Sequence, residues 1–377
     1  MTQLRESPLA LVDHHVHGIV SGELDVATVE SLLTESLAPS PAGTTAFDSQ
    51  LGFAVRRWCA PVLDLEPSAP VAEYLARRTE LGAAQVARRF LTAAQVDAWL
   101  VDTGYQSDAV TSPEQLAADS GAAAFEVARL ESIAERVVAA GGDAAGFAAG
   151  LQSAVHQAAA SAVGFKSVAA YRYGLDLEPA RPDPAEVALA AGDWLRAIQA
   201  GAPVRATSQV IIRHGIWSAL DTGLPLQFHA GHGDTDSRLH RADPALLQDF
   251  LAASQGTGTP VMLLHCYPYH RQAGAMAQLF PHVYMDVGEA LNHVGARSAA
   301  VLAEALELTP FHKMLYSSDA FGLPELHYLG AVGFRRDMAR VTGEFVADGA
   351  WSAADAARVG ELVGSANARR VYRLARA

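Results

Sequence analysis

The stretch Asp13-His14-His15-Val16-His17-Gly18 follows the apolar run 9–12 and sets two imidazoles two residues apart. Side chains at i and i+2 of a β-strand leave the same face. His15 and His17 would therefore project together from the carboxyl end of a strand, a chelating geometry suited to a divalent ion such as zinc. A His-x-His pair also arises by chance or as polar surface, so the pair alone leaves both readings open. His14 points to the opposite face and stands outside the pair.

Other chemistry-bearing residues close apolar runs in the same way: Lys166 after Val163-Gly164-Phe165, His229 at the end of 224–229, His265 at the end of 261–265, and Asp319 at the end of 314–319. From 224 onward, strand-like runs at 224–229, 261–265, 283–287 and 314–319 alternate with helical stretches, the pattern of parallel βα units. Earlier strands end near His17 and span 98–105, 125–131 and 163–170, for a total of eight. The third also fits the start of a helix, since Phe125, Val127 and Leu130 lead into Ile133, Val137 and Val138. Eight such units predict an α/β fold closed as a (β/α)8 TIM barrel, and no G-x-G-x-x-G follows a strand to favour a dinucleotide fold. In such a barrel the strand carboxyl ends meet around one mouth, so these strand-end residues become neighbours.

The elements between the strands read as helices at 23–37, 184–200 and 204–221. The segment 44–95, with Phe53, Val55, Trp58, Tyr74 and Leu75 at helical intervals, predicts a helical layer inserted after the first strand. It is either a lid over the mouth or a structural side layer. No linker, repeat or low-complexity segment divides the chain, so residues 1–377 are expected to form a single barrel domain carrying the 44–95 insertion.

Composition narrows the partners. Hydrophobic residues make up 50% and charged residues 18%, which indicates a packed globular enzyme rather than disorder. A formal net charge of −13 supplies no basic face to follow a phosphate backbone, so nucleic acid is not expected. Cys59 and Cys266 form neither a disulfide framework nor a thiolate metal site. No basic leader with an apolar stretch opens the sequence, and no apolar run reaches about 18 residues, so a cytoplasmic protein without a membrane partner is expected. A homo-oligomer is left open.

The order His-x-His, Lys, His, His, Asp over eight βα units resembles the amidohydrolase superfamily. Gly164-Phe165-Lys166-Ser167-Val168-Ala169-Ala170-Tyr171-Arg172, Gln227-Phe228-His229-Ala230-Gly231-His232-Gly233-Asp234 and Leu263-Leu264-His265-Cys266-Tyr267-Pro268 are similar to its amidohydrolase-2 branch. They are most similar to the amidohydrolase domain found fused to glutamine-synthetase-like domains in FluG- and nodulin-type proteins. The resemblance implies that His15, His17, Lys166, His229, His265 and Asp319 are metal ligands, with Asp319 and His265 as catalytic residues. It implies Zn2+, one ion or two, with Mn2+ or Fe2+ as alternatives. Lysine as ammonium has no lone pair for a metal; a carboxylated Lys166 would bridge two ions, and an uncarboxylated one would leave a single-ion site or a buried ion pair.

The implied reaction is hydrolysis of a C–N amide-type bond in a small carboxylate-bearing molecule by a metal-activated hydroxide, with Asp319 as general base and then acid. The alternatives are a non-oxidative decarboxylase on the same scaffold and a non-catalytic binding protein. Arg172 can hold a substrate carboxylate bidentately or serve a salt bridge at the rim. His232 and Asp234 can orient His229 and contact substrate, or cap a loop. His270 is a further loop residue able to meet substrate, Asp286 and Glu289 have no assigned step, and His156, His214, His282, His312 and His327 are expected at the surface.

Overall fold

Parallel strands covered on both faces carry continuous apolar runs rather than alternating ones. Seven of the eight runs expected from the sequence become such strands among the described residues. The computed structural model describes residues 8–375; residues 1–7, on which the expectation of no leader largely rests, lie outside the described residues. Among the described residues seven strands form: β1 (Val12–Val16), β2 (Ala98–Asp102), β3 (Ala123–Arg129), β4 (Gly164–Ser167), β5 (Leu226–Ala230), β6 (Val261–His265) and β7 (Val283–Met285). The helices among the described residues include α1 (Val71–Leu81), α2 (Ala83–Ala94), α3 (Leu130–Ala139), α4 (Gly288–His293) and α5 (Pro324–Ala347). β1, β2, β5 and β6 are buried along their whole length.

The chain divides into two compact units interleaved along the sequence. The first comprises the chain up to Val101, Gln106–Ala124, and the chain from Val287 onward. Here β1 pairs in parallel with β2, Val12 opposite Ala98 and Val16 opposite Val101. β1 also binds the segment 314–322. His14 N–H donates to the Tyr316 carbonyl (3.2 Å), Asp319 N–H to that of His15 (3.1 Å) and His17 N–H to that of Ala320 (2.9 Å).

That segment is the expected eighth strand, and the expectation needs correction: it follows β1 without forming a regular strand. Two features break its repeat. Ser318 N–H is taken by the Asp13 carboxylate (3.1 Å), and Asp319 lies in the left-handed region at φ 51°, a conformation that costs an L-residue about 1–2 kcal/mol. The backbone of α5 presses on the same place, for a Cβ at Gly330 would collide with the Ser318 side chain.

Between β1 and β2, short helical pieces run from Gln50 to Leu63 and are followed by α1 and α2. Its anchor to α5 is polar as well as apolar. Tyr74 donates its hydroxyl to Glu325 Oε1 (3.0 Å), Arg78 Nε donates to the same oxygen (2.8 Å), and the Phe90 and Tyr328 rings meet at 5.7 Å. The expected helix 23–37 is only Val26–Ser31. Beyond it, Thr34 and Ser36 side chains accept the backbone N–H groups of Ser36 and Ala38 (3.2 Å each), local bonds that compete with a helix.

The second unit comprises Asp102–Tyr105 and Phe125–Asp286. Its strands β3 to β7 pair in parallel in chain order, Val127 with Gly164, Phe165 with Leu226, Leu226 with Val261, and Val261 with Val283. Phe228 and Trp217 pack on Phe250 with ring centroids 5.6 and 6.1 Å apart. The ambiguity at 125–138 resolves into both structures, for β3 stops at Arg129 and α3 starts at Leu130.

Arg78 and Glu325 are both buried, and removing one partner of such a pair costs about 3–5 kcal/mol. Glu325→Gln keeps an acceptor for Tyr74 but leaves the guanidinium unneutralised. Urea denaturation of this variant is expected to show a loss of that size, largely recovered when Arg78→Met is added. An unchanged unfolding midpoint would contradict the pairing.

Candidate metal centre

In the first unit, His15 lies on β1 and His17 one residue beyond its end, both buried. Their rings stand 5.2 Å apart at 83°. The Nε2 atoms converge on one carboxylate oxygen of Asp319, at 3.1 Å from His15 and 3.5 Å from His17. Two ligands bonded at about 2.1 Å to one ion and about a tetrahedral angle apart are separated by about 3.4 Å. The spacing and the imidazole–carboxylate donor set suit a divalent ion, and His15 stands among histidine and aspartate side chains whose ligand atoms lie within 4.8 Å of one another.

The backbone around this cluster is tied down by residues with no chemical step. Asp13 Oδ1 holds Ser318 N–H. His14, on the other face of β1, places Nδ1 at 3.1 Å from the Tyr372 hydroxyl. His327, expected at the surface, is buried instead. Its Nε2 lies 3.0 Å from the His17 carbonyl, its Nδ1 3.1 Å from that of Leu323, and its ring meets Trp99 edge-on at 5.6 Å. Burial pushes its pKa down to about 4, against the opposing effect of the hydrogen bonds to the Leu323 and His17 carbonyls. His282 is likewise buried, with Nε2 3.4 Å from Ser254 Oγ, because it sits in the turn into β7 rather than on an outer helix face.

In the second unit, His229 on β5 and His265 on β6 bring their rings to 4.8 Å, and the Tyr171 ring lies 4.3 Å from His229. His265 and Cys266 both adopt left-handed conformations, φ 65° and 61°. Asp286 receives the His265 N–H at 2.9 Å, which stabilises a conformation of the kind that clusters at functional sites. Lys166 is 2% exposed at the end of β4. The loop after β5 crosses His229 closely: a Cβ at Gly233 would collide with the Tyr171 hydroxyl and lie 2.9 Å from His229 Nε2.

Of the remaining expected residues, Arg172 closes the short helix Ala169–Arg172, His270, expected in a loop, opens the helix His270–Leu279, and His232 and Asp234 follow β5. Arg172 Nη2 reaches Glu135 Oε1 at 3.3 Å, its Nε is buried without a hydrogen-bond partner, and burial lowers its pKa with help from the charge of Arg205. Asp234 Oδ1 caps its loop by accepting Asp236 N–H (2.9 Å). His232 donates its backbone N–H to Tyr267 (2.6 Å). His270 is buried and stacked on Tyr267 at 5.8 Å.

Three residues at or near strand ends escape a reading of the sequence. Asp102, the last residue of β2, pairs with Arg129, the last of β3, at 2.6 Å, and Glu131 Oε1 accepts the Ser167 hydroxyl at 2.7 Å. For Asp102 a signal is present, since Trp99-Leu100-Val101-Asp102 ends an apolar run on a carboxylate as 314–319 does.

A family model described as Amidohydrolase matches residues 12–374, and the chain belongs to that family. Over 234 residues it is 32% identical to Protein fluG of Emericella nidulans, a stretch that covers 56% of this chain and 26% of that protein; the chain spans about a quarter of that relative. The crystal structure of a candidate metal-dependent hydrolase from Lactobacillus casei ATCC 334 superposes with a TM-score of 0.85 at 28% identity, covering 98% of this chain and 97% of that one. Uronate isomerase from Thermotoga maritima superposes at 0.62 with 13% identity, over 97% and 94% of the two chains, a likeness of fold alone. The chain thus has the α/β fold of (β/α)8 enzymes with a helical layer inserted after β1. No helix among the described residues is long and apolar enough to cross a membrane.

Burial raises the Glu131 carboxyl pKa above the ordinary carboxylate range, offset in part by hydrogen bonds from the Val168 backbone and Ser167. A carboxyl with a raised folded pKa binds more protons folded than unfolded once pH passes its unfolded value of about 4.3, so its contribution to stability falls as pH rises. Glu131→Gln removes this dependence. The melting temperature of the wild type relative to the variant is expected to drop as pH rises above the unfolded carboxyl value of about 4.3; a difference that stays constant with pH contradicts the burial effect.

Proposed function

We propose that the protein is a metal-dependent amidohydrolase that cleaves a C–N amide-type bond in a small carboxylate-bearing substrate. The observation that carries this reading is the convergence of His15 and His17 Nε2 on a single oxygen of Asp319, in a chain of the amidohydrolase family. The proposed ligands are His15, His17 and Asp319 in the first unit and Lys166, His229 and His265 in the second, in the order the family resemblance implies. Zinc is the proposed metal, as one ion or two with a carboxylated Lys166; Mn2+ or Fe2+ would suit the same nitrogen and oxygen donors. When bound, such an ion supplies Lewis acidity toward a carbonyl and lowers the pKa of water to about 7.

The chain's own groups do the rest. Asp319 takes a proton on its carboxylate and returns it to the leaving amine, as general base and then acid. Its strained backbone fixes the direction in which that carboxylate faces. His265 is held by Asp286 through its backbone N–H and contributes an oriented imidazole. Arg172 retains a buried, unpaired Nε beside the Nη2 that meets Glu135, and it binds the substrate carboxylate.

The test is amine release by zinc-loaded protein from a panel of N-acyl, γ-glutamyl and cyclic amides bearing a carboxylate. Turnover of at least one member is expected, and Asp319→Asn is expected to lower kcat by about 10²–10⁴-fold. Evolution of CO2 without amine release would overturn hydrolysis in favour of decarboxylation. Arg172→Ala is expected to raise KM for carboxylate-bearing substrates by about 10–100-fold, the value of a charged hydrogen bond, and to leave uncharged analogues unaffected. An equal effect on both classes removes Arg172 from substrate binding.

A further inference from the structure

A second convergence of ligating side chains lies in the first unit and shares no residue with the His15–His17–Asp319 cluster. Glu289 and His293 stand four residues apart on α4, so they face the same side one turn apart. Glu35, from the segment after β1, meets them there. His293 Nε2 lies 3.4 Å from Glu35 Oε1, and each of the three residues offers a ligand atom within 4.8 Å of the other two.

The spacing is informative. A distance of 3.4 Å between an imidazole nitrogen and a carboxylate oxygen is what two ligands at about 2.1 Å from one ion and about a tetrahedral angle apart would show. Burial is graded across the set: Glu289 is 5% exposed, whereas the His293 and Glu35 side chains are 24% and 35% exposed. The inner carboxylate is therefore enclosed by packing, and the outer pair is reachable from solvent. Two carboxylates and a neutral imidazole give a charge of −2 that a divalent ion neutralises. One nitrogen among oxygen donors, with no thiolate, suits Zn2+ or Mn2+ better than Ca2+, which takes oxygen ligands.

We propose that Glu35, Glu289 and His293 form a second divalent-cation site, which ties the segment after β1 to α4 through a three-ligand Glu/Glu/His set with a remaining position for water. A plain His293–Glu35 ion pair is the competing explanation, and it predicts no metal there. The site does not depend on the amidohydrolase reaction, because its readouts are metal content and position rather than turnover.

Crystals of the full chain equilibrated with excess ZnCl2 are examined by anomalous scattering at the zinc edge. A peak within about 2.3 Å of ligand atoms of Glu35, Glu289 and His293 is expected; a map showing zinc elsewhere but none at these three residues overturns the site. In solution, zinc retained per chain after equilibration and desalting is expected to fall by one equivalent in His293→Ala. Should that variant unfold, Glu35→Gln, at the most exposed of the three positions, serves instead, with circular dichroism confirming its fold. Equal zinc content in wild type and the folded variant overturns the proposal.

Discussion

Two imidazoles and a carboxylate are held together at the end of a fully buried strand, and much of the first unit is arranged around that constraint. β1 reads Val-Asp-His-His-Val and is buried throughout. Burying three consecutive polar side chains without partners would cost several kcal/mol each. Each has a partner instead: Asp13 receives Ser318 N–H, His14 meets the Tyr372 hydroxyl, and His15 meets Asp319. The partners of these side chains are Ser318, Tyr372 and Asp319, so residues some 300 positions apart must be brought together before the cluster exists.

The same constraint explains the irregular backbone beside β1. Were 314–319 a regular strand, its side chains would alternate and Ser318 N–H would belong to the ladder. The Asp13 carboxylate takes that N–H, Asp319 turns left-handed, and its side chain meets both histidines. Gly330 lets α5 close over this segment without a collision. In the second unit His265 follows the same logic, with a left-handed backbone whose N–H is held by Asp286. The energetic cost of these conformations is met by buried hydrogen bonds, and the return is a fixed direction for each ligating group.

How much of this the sequence discloses depends on whether a feature is local. β6 is legible because four apolar residues running into a His leave no other structure, and the His-x-His pair because a strand's period is fixed by its geometry. The junction of β3 and α3 is ambiguous because no residue separates them. Asp102–Arg129, Glu131–Ser167 and the burial of His327 rest on contacts between distant parts of the chain, which periodicity does not reveal. The left-handed φ of Asp319 and His265 is equally hidden, for neither residue is a glycine that would mark it. The division into two interleaved units likewise leaves no linker to be read.

The central claim is that the imidazoles of β1 bind a divalent metal, and zinc K-edge absorption spectroscopy on protein loaded with one equivalent tests it most directly. A first shell of nitrogen and oxygen at about 2.0–2.2 Å, carrying the outer-shell scattering of histidine, is expected. That histidine signal should weaken in His15→Ala/His17→Ala protein. An oxygen-only shell, or a spectrum unchanged by removing both imidazoles, would contradict the assignment.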